Sequence, residues 1–284
     1  MRNRLAVLAS TLLLWHGLAG AAPPVVAVEA VQYPAWLDRE GASVPLEPGA
    51  VLRAGDRLRT GPDARARLRL SDDSSVKLGE GARFEIVEAE DTNVLRAKLR
   101  VLSGAFRYAT QGPVVPGRRA IDIEVKNVTA GIRGTDLWGK AAEARDLVCL
   151  IEGRITVSAR GQPEAILDRA LDYYEIDRGG NAAVRRVDAK QLAQWALETE
   201  MGTDRAVGQV DGSWRVVAAR LGEREASDRL ARRLREAGYP ARVEEGDAPW
   251  AVVVTGLAGE AQARALAERL RSEAGLAGPV AQPG

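Results

Sequence analysis

Trp214-Arg215-Val216-Val217-Ala218-Ala219-Arg220-Leu221 returns as Trp250-Ala251-Val252-Val253-Val254-Thr255-Gly256-Leu257. The offset that lays Trp214 on Trp250 also lays Val216 on Val252, Val217 on Val253 and Leu221 on Leu257. It carries Leu230, Ala231, Arg233, Leu234 and Arg235 onto Leu266, Ala267, Arg269, Leu270 and Arg271 as well. So many coincidences at one offset mark a duplicated supersecondary unit. In each copy an apolar strand leads into an amphipathic helix, with Ala226, Leu230, Leu234 and Ala237 in one stripe and Ala263, Leu266, Leu270 and Ala274 in the other. Gly238 and Gly275 stand where a left-handed helix stop is wanted. A further strand follows each helix, at residues 241–244 and about 278–281. The order βαββαβ predicts an α+β, ferredoxin-like module over residues 214–284: an antiparallel sheet with two helices on one face and the other face open.

Strand alternation says which side chains that open face carries. If Val216, Ala218, Val252 and Val254 point to the helices, then Arg215, Val217, Ala219, Ala251, Val253 and Thr255 point outward. These six are the candidate binding residues of the module. Most are apolar, and an exposed apolar patch marks a surface for a protein partner or for self-association. Trp214 and Trp250, at the strand starts, read either as sugar-stacking platforms or as core edges.

Upstream the period is two. Arg65-Ala66-Arg67-Leu68-Arg69-Leu70, Val76-Lys77-Leu78 and Ile121-Asp122-Ile123-Glu124-Val125 alternate apolar with charged residues, and breaks such as Gly61-Pro62-Asp63 and Gly79-Glu80-Gly81 separate the runs. Many short strands without helical periodicity predict an all-β domain over residues 25–180. Near Val187 the period changes. Asp188 can cap a helix carrying Leu192, Trp195, Ala196 and Thr199, and residues 202–213, rich in Gly and polar side chains, read as a linker, so that 187–213 joins the two parts of a multidomain chain.

The ends and the composition narrow the function. Arg2 and Arg4 precede an apolar run over residues 5–18, followed by Ala19-Gly20-Ala21, the order of a cleavable secretory signal over residues 1–21. No other stretch is long and apolar enough to span a bilayer, so no membrane span is expected in the mature chain. Forty Lys and Arg against 39 Asp and Glu give a formal net charge of +1, which offers no basis for nucleic-acid binding. The only histidine, His16, lies inside the signal, and Cys149 is the only cysteine. A Ser/His/Asp or Cys/His arrangement and a multi-Cys zinc site are therefore excluded. No catalytic residue, metal site or cofactor is expected. Asp72-Asp73 could suggest calcium, but no further ligand spacing supports it.

Two resemblances add to this. The 214–284 module resembles a SPOR domain, the sporulation-related repeat of bacterial envelope proteins, in its aromatic strand starts and its helix ending Ala237-Gly238-Tyr239-Pro240-Ala241-Arg242-Val243. That resemblance implies binding of peptidoglycan, particularly glycan strands stripped of their peptides, on the open sheet face. Val217 and Ala251 stand where the family's glutamine and arginine usually do. The β-rich part resembles a FecR-type domain, in Leu52-Arg53-Ala54-Gly55-Asp56-Arg57-Leu58-Arg59-Thr60-Gly61, in Gly131-Ile132-Arg133-Gly134-Thr135-Asp136 and in the strand ending Leu150-Ile151-Glu152-Gly153. In that family such a domain relays a signal in the periplasm. Arg133, Gly134, Thr135 and Asp136 are its candidate motif, read either as a ligand site or as local structure, with glycines for a tight path and polar side chains tied to nearby groups.

These readings converge on a non-enzymatic protein of the periplasm, exported through the inner membrane. Its FecR-like domain would recognise a ligand or partner, and its SPOR-like domain would associate with peptidoglycan. The alternative is an adaptor that joins envelope proteins through the apolar open sheet face.

Overall fold

In the computed structural model, which describes residues 24–111, 115 and 117–284, alternation becomes burial strand by strand. Ala66, Leu68 and Leu70 are buried, while Arg67 and Arg69 on the other face reach Glu29 at 3.0 and 2.8 Å. The expected signal, residues 1–21, lies outside the described residues.

The β-rich part begins with β1 (Val26–Gln32), β2 (Ala35–Arg39), β3 (Ala42–Pro45), β4 (Val51–Leu52), β5 (Arg57–Thr60), β6 (Arg65–Leu70), β7 (Ser75–Leu78) and β8 (Arg83–Asp91). The long β9 (Leu95–Ala109) follows, then β10 (Arg119–Val125), β11 (Val128–Ile132), β12 (Asp136–Ala141), β13 (Arg145–Glu152), β14 (Ile155–Ala159), β15 (Ala165–Leu167), β16 (Asp172–Asp177) and β17 (Ala182–Arg186). They form two sheets that share β9. Its first part pairs with β8 and, in parallel, with β10; its last part pairs with β7 and β12. Gly104, at φ +86°, marks the change of sheet, and a Cβ there would stand 2.7 Å from the Cα of Ala82. Only glycine fits such a crossing.

The core lies between the sheets, where Leu68, Leu78, Ile86, Leu99, Phe106, Tyr108, Ile123, Val148 and Leu150 are fully buried. Each large apolar side chain so buried contributes roughly 1.5–3 kcal/mol. β13 is apolar on both faces because both are covered. Val148 and Leu150 face the main core, whereas Leu147 and Cys149 join the clusters of Trp138, Tyr173, Leu192 and Trp195.

That second cover is α1 (Ala189–Leu197), capped by Asp188, whose side chain accepts from the Gln191 amide. Trp195 stacks on Trp138 with ring centroids 5.2 Å apart, and Tyr173 meets it edge-on. Beyond the helix, Glu198 pairs with Lys140 at 2.6 Å and Glu200 with Lys77 at 2.7 Å. Helix and following turn are thus fastened to the sheet by stacking and by charge.

The stretch read as a linker contains a strand. β18 (Val207–Gln209) pairs antiparallel with β1 and meets, through Gly208 and Leu257, the central strand of the C-terminal module. Backbone bonds from Tyr33 to Ala206 and from Ala258 to Val207 extend the join. Gly and polar residues there serve close approach rather than slack: a Cβ on Gly208 would strike the Tyr33 hydroxyl at 2.5 Å.

The C-terminal module runs β19 (Trp214–Leu221), α2 (Arg224–Glu236), β20 (Arg242–Val243), β21 (Trp250–Leu257), α3 (Glu260–Ala274) and β22 (Val280–Pro283). Its antiparallel sheet has the order β20–β21–β19–β22. This is the predicted multidomain, all-β plus α+β architecture. Leu230, Ala231 and Leu234 of α2 and Ala263, Leu266 and Leu270 of α3 are buried over Val216, Ala218, Val252 and Val254. Gly238 and Gly275 are both left-handed, at φ +85° and +64°. Among the described residues no helix is long and apolar enough to cross a membrane.

Candidate functional site

The face of the C-terminal sheet turned away from α2 and α3 is built in rows across its strands. Arg242, Val253, Val217 and Val280 stand in register from β20 to β22. In the next row Ala251 lies between Arg220 and Glu244, whose amide donates to the Ala251 carbonyl. Toward the other end Arg215 lies opposite Gln282, with Thr255 nearby on β21.

Five of the six residues predicted for this face, Arg215, Val217, Ala251, Val253 and Thr255, belong to strand positions on it, and Val217, Ala251 and Val253 form a cluster separate from the main core. Ala219 does not. The register of β19 against β21 shifts between Val217 and Ala219, and Ala219 packs with the main core on the helix side. A bulge places two successive residues against one partner and reverses the alternation beyond it, so Arg220 takes the outward place.

The apolar residues are not exposed, contrary to the expected patch. Val217, Ala251 and Val253 have relative exposures of 5, 4 and 0 %. Arg215 on β19 and Glu244 beyond β20 form an ion pair across β21, and the diagonal between them passes over Val253. The Gln282 carboxamide, its oxygen turned to the guanidinium, accepts from Arg215 Nη2 at 2.6 Å and Nε at 2.8 Å. One arginine thus ties β20, β19 and β22 together above an apolar floor. What the face offers a ligand is hydrogen-bonding and charged groups: Arg215, Glu244, Gln282, Thr255, Arg220 and Arg242.

Glu244, Gln282, Arg220 and Arg242 are absent from the sequence-based set. Arg242 and Glu244 sit on or beside a two-residue strand, and Gln282 on a terminal strand placed two residues early. The short run after each helix was the available signal, since period two applied to it puts Arg242 and Glu244 on one face. Trp214 packs with the main core, and Trp250 donates from Nε1 to the Gly246 carbonyl at 2.9 Å.

The other candidate motif is dispersed by the fold. Arg133 is exposed and Gly134 is left-handed at φ +94°. Thr135 is buried, its amide donating to Thr110 Oγ1 at 3.2 Å and its carbonyl accepting from the Thr110 amide at 3.0 Å. Asp136 accepts from Arg107 Nε at 2.9 Å and Nη2 at 2.6 Å, and Arg107 reaches on to Glu200 at 3.4 Å. The Asp136 hydrogen bond holds the Arg107 guanidinium above its ordinary pKa. These contacts tie β12 to β9 and to the segment beyond α1, and they do not converge on a shared opening. Asp72 pairs with Arg119 at 3.1 Å. Burial, with the Asp172 charge second, pushes the Cys149 thiol up to about 12, so it is a packed thiol rather than a thiolate at neutral pH.

The fold defines a β-rich domain joined to a small α+β module with one open sheet face. Comparison with protein families gives both parts their names. A family described as FecR protein matches residues 56–156, and the SPOR domain family matches residues 210–282. The chain therefore carries a FecR domain followed by a SPOR domain, families of binding and regulatory rather than catalytic domains. No curated protein matched the chain. Among solved structures, a crystal structure of a protein described as a candidate anti-sigma factor from Parabacteroides distasonis is similar at 9 % identity and TM-score 0.42, covering 69 % of this chain and 97 % of that one. A second crystal structure of the same description and organism is similar at 11 % identity and TM-score 0.42, covering 77 % and 91 %.

Proposed function

We propose that this chain is a non-enzymatic protein of the bacterial periplasm, whose SPOR domain holds peptidoglycan on its open sheet face while the FecR domain engages an envelope partner. SPOR domains bind peptidoglycan and are typical of envelope proteins. The observation that carries the reading is the polar surface of the open face, where Arg215, Gln282, Thr255 and Glu244 stand over a closed apolar floor. Sugars are held by hydrogen bonds to such groups, and an arrangement already pinned by Arg215 loses little freedom on binding. The covering of Val217 and Val253 argues against an adaptor that works through apolar contact at this face.

The test is co-sedimentation of the purified protein with isolated sacculi, before and after an amidase has removed the stem peptides. Enrichment in the pellet, stronger after stripping, is the expected result. A protein that stays in the supernatant with both preparations overturns the wall-binding role.

A further inference from the structure

We propose that the FecR side of the chain supplies part of the glycan site: a cleft at its seam with the SPOR domain takes the length of strand that runs on past the open sheet face. The cleft is lined by Glu29, Arg67, Arg69, Gln209, Val210 and Asp211, among others. The inference rests on the peptidoglycan reading and adds to it residues of the β-rich part.

The two domains are layered together. β18 joins β21 to β1, and β1 pairs on with β6, so the SPOR sheet and one FecR sheet are continuous. The helices α2 and α3 lie on the same side as the other FecR sheet, since Trp36 on β2 donates from Nε1 to the Glu236 carbonyl at the end of α2 at 3.0 Å. Val216, Leu266 and Leu68 accordingly belong to one core. The open face is therefore the same side of the continuous sheet as the outer face of β1 and β6, where Glu29 pairs with Arg67 and Arg69.

Register brings the two surfaces together. Gln209 pairs with Ala30, and Ala30 with Arg67. On the SPOR side Gln209 borders Gly256, where an added Cβ would stand 3.7 Å from the Gln209 carbonyl, and Gly256 follows Thr255 of the open face. The cleft beside this row has a volume of about 360 Å³, enough for a small-ligand site. Carboxylates, carboxamides and guanidiniums each present paired polar atoms in one plane, which suits adjacent sugar hydroxyls. Val210, 61 % exposed, offers apolar surface to the C–H face of a ring. Glu29 is already held between two arginines, so these groups lose little freedom on binding. From Arg215 on β19 to Arg67 on β6 is four strand spacings, roughly 19 Å, a span that a polymer bridges and a single sugar does not.

The experiment uses end-labelled glycan fragments, freed of peptides and fractionated by length, with binding to the full chain followed by fluorescence anisotropy. Wild-type protein is expected to bind fragments long enough to reach both surfaces roughly tenfold more tightly than fragments too short to do so, the scale of one charge-assisted hydrogen bond. The Arg69→Ala, Asp211→Ala double variant, altered only at exposed positions and checked for an unchanged circular dichroism spectrum, should bind short fragments as the wild type does and long ones no better. Equal affinity of the wild type for both lengths, or a gain with length that survives in the double variant, overturns the role of the cleft and leaves glycan binding by the SPOR domain standing. A double variant weakened alike toward both lengths also overturns it, because the loss then lies at the open face. Failure of the wild type to bind fragments of either length, or any sacculus preparation, overturns the glycan reading itself.

Discussion

Replacing Asp56 with alanine is expected to lower the stability of the folded chain by about 3 kcal/mol, because it strips a buried carboxylate from three donors at once. Asp56 accepts from Arg39 Nε at 2.7 Å, from Arg39 Nη2 at 2.5 Å and from the Arg53 amide at 2.8 Å, and its side chain is only 2 % exposed. It closes the turn that starts at Arg53 and passes through Gly55, at φ +91°, and its carbonyl accepts from the Ile86 amide at 3.0 Å. Burial alone would raise the Asp56 carboxyl, but the Arg39 hydrogen bonds and the Arg53 amide outweigh it and hold the group below the usual carboxylate range. A carboxyl whose folded pKa lies below its unfolded value of about 3.9 stabilises the fold above that value and loses the contribution as pH falls through the folded one. Urea denaturation at pH 7 and at pH 3 checks this: the gap between wild type and Asp56→Asn should be wide at pH 7 and narrower at pH 3. A gap that is the same at both values would assign the loss to shape rather than charge.

How much of this was legible beforehand depended on whether a contact is local. Arg65 to Leu70 advertises its two faces by period two, and the repeat of Trp214 at Trp250 gives the order of strands and helices in the SPOR domain. The left-handed glycines after both helices were readable for the same reason. The bulge at Ala218 and Ala219 was not, since two alanines in an apolar strand carry no mark of a register shift, and it moved Ala219 off the open face. The pairing of Arg215 with Glu244 joins β19 to the segment beyond β20 across β21, so alternation put Val217 and Val253 on the correct side but could not show them covered. β18 was hidden for the opposite reason. Its glycine and polar neighbours have linker composition, and only β1 and β21 on either side make it a strand.

Substituting Gly238 with alanine should therefore cost far more than the same change at Gly275, although both glycines end a helix in left-handed backbone. That conformation alone costs an L-residue about 1–2 kcal/mol. Gly275 has nothing within 4 Å of the added Cβ, so Gly275→Ala loses this amount and no more. At Gly238 the Cβ would lie 2.8 Å from Trp36 Cε2 and Cζ2 and 2.9 Å from Pro34 Cβ, on the FecR side of the join. Overpacking of this kind adds about 1–3 kcal/mol. The same point holds the docking bonds: Ala35 donates to the Gly238 carbonyl, Trp36 Nε1 to the Glu236 carbonyl at 3.0 Å, and Arg269 to the carbonyls of Tyr33 at 3.0 Å and Pro62 at 3.1 Å. A Cβ that pushes Trp36 away strains these together. Hydrogen exchange at the β18 amides separates the two costs. Gly238→Ala should speed exchange at Gly208, the residue that bridges β1 and β21, whereas Gly275→Ala should leave that amide as protected as in the wild type. Slow exchange in both variants would mean that β18 is held by β1 alone, and that the SPOR domain can swing on its strand instead of presenting its open face at a fixed angle to the FecR domain.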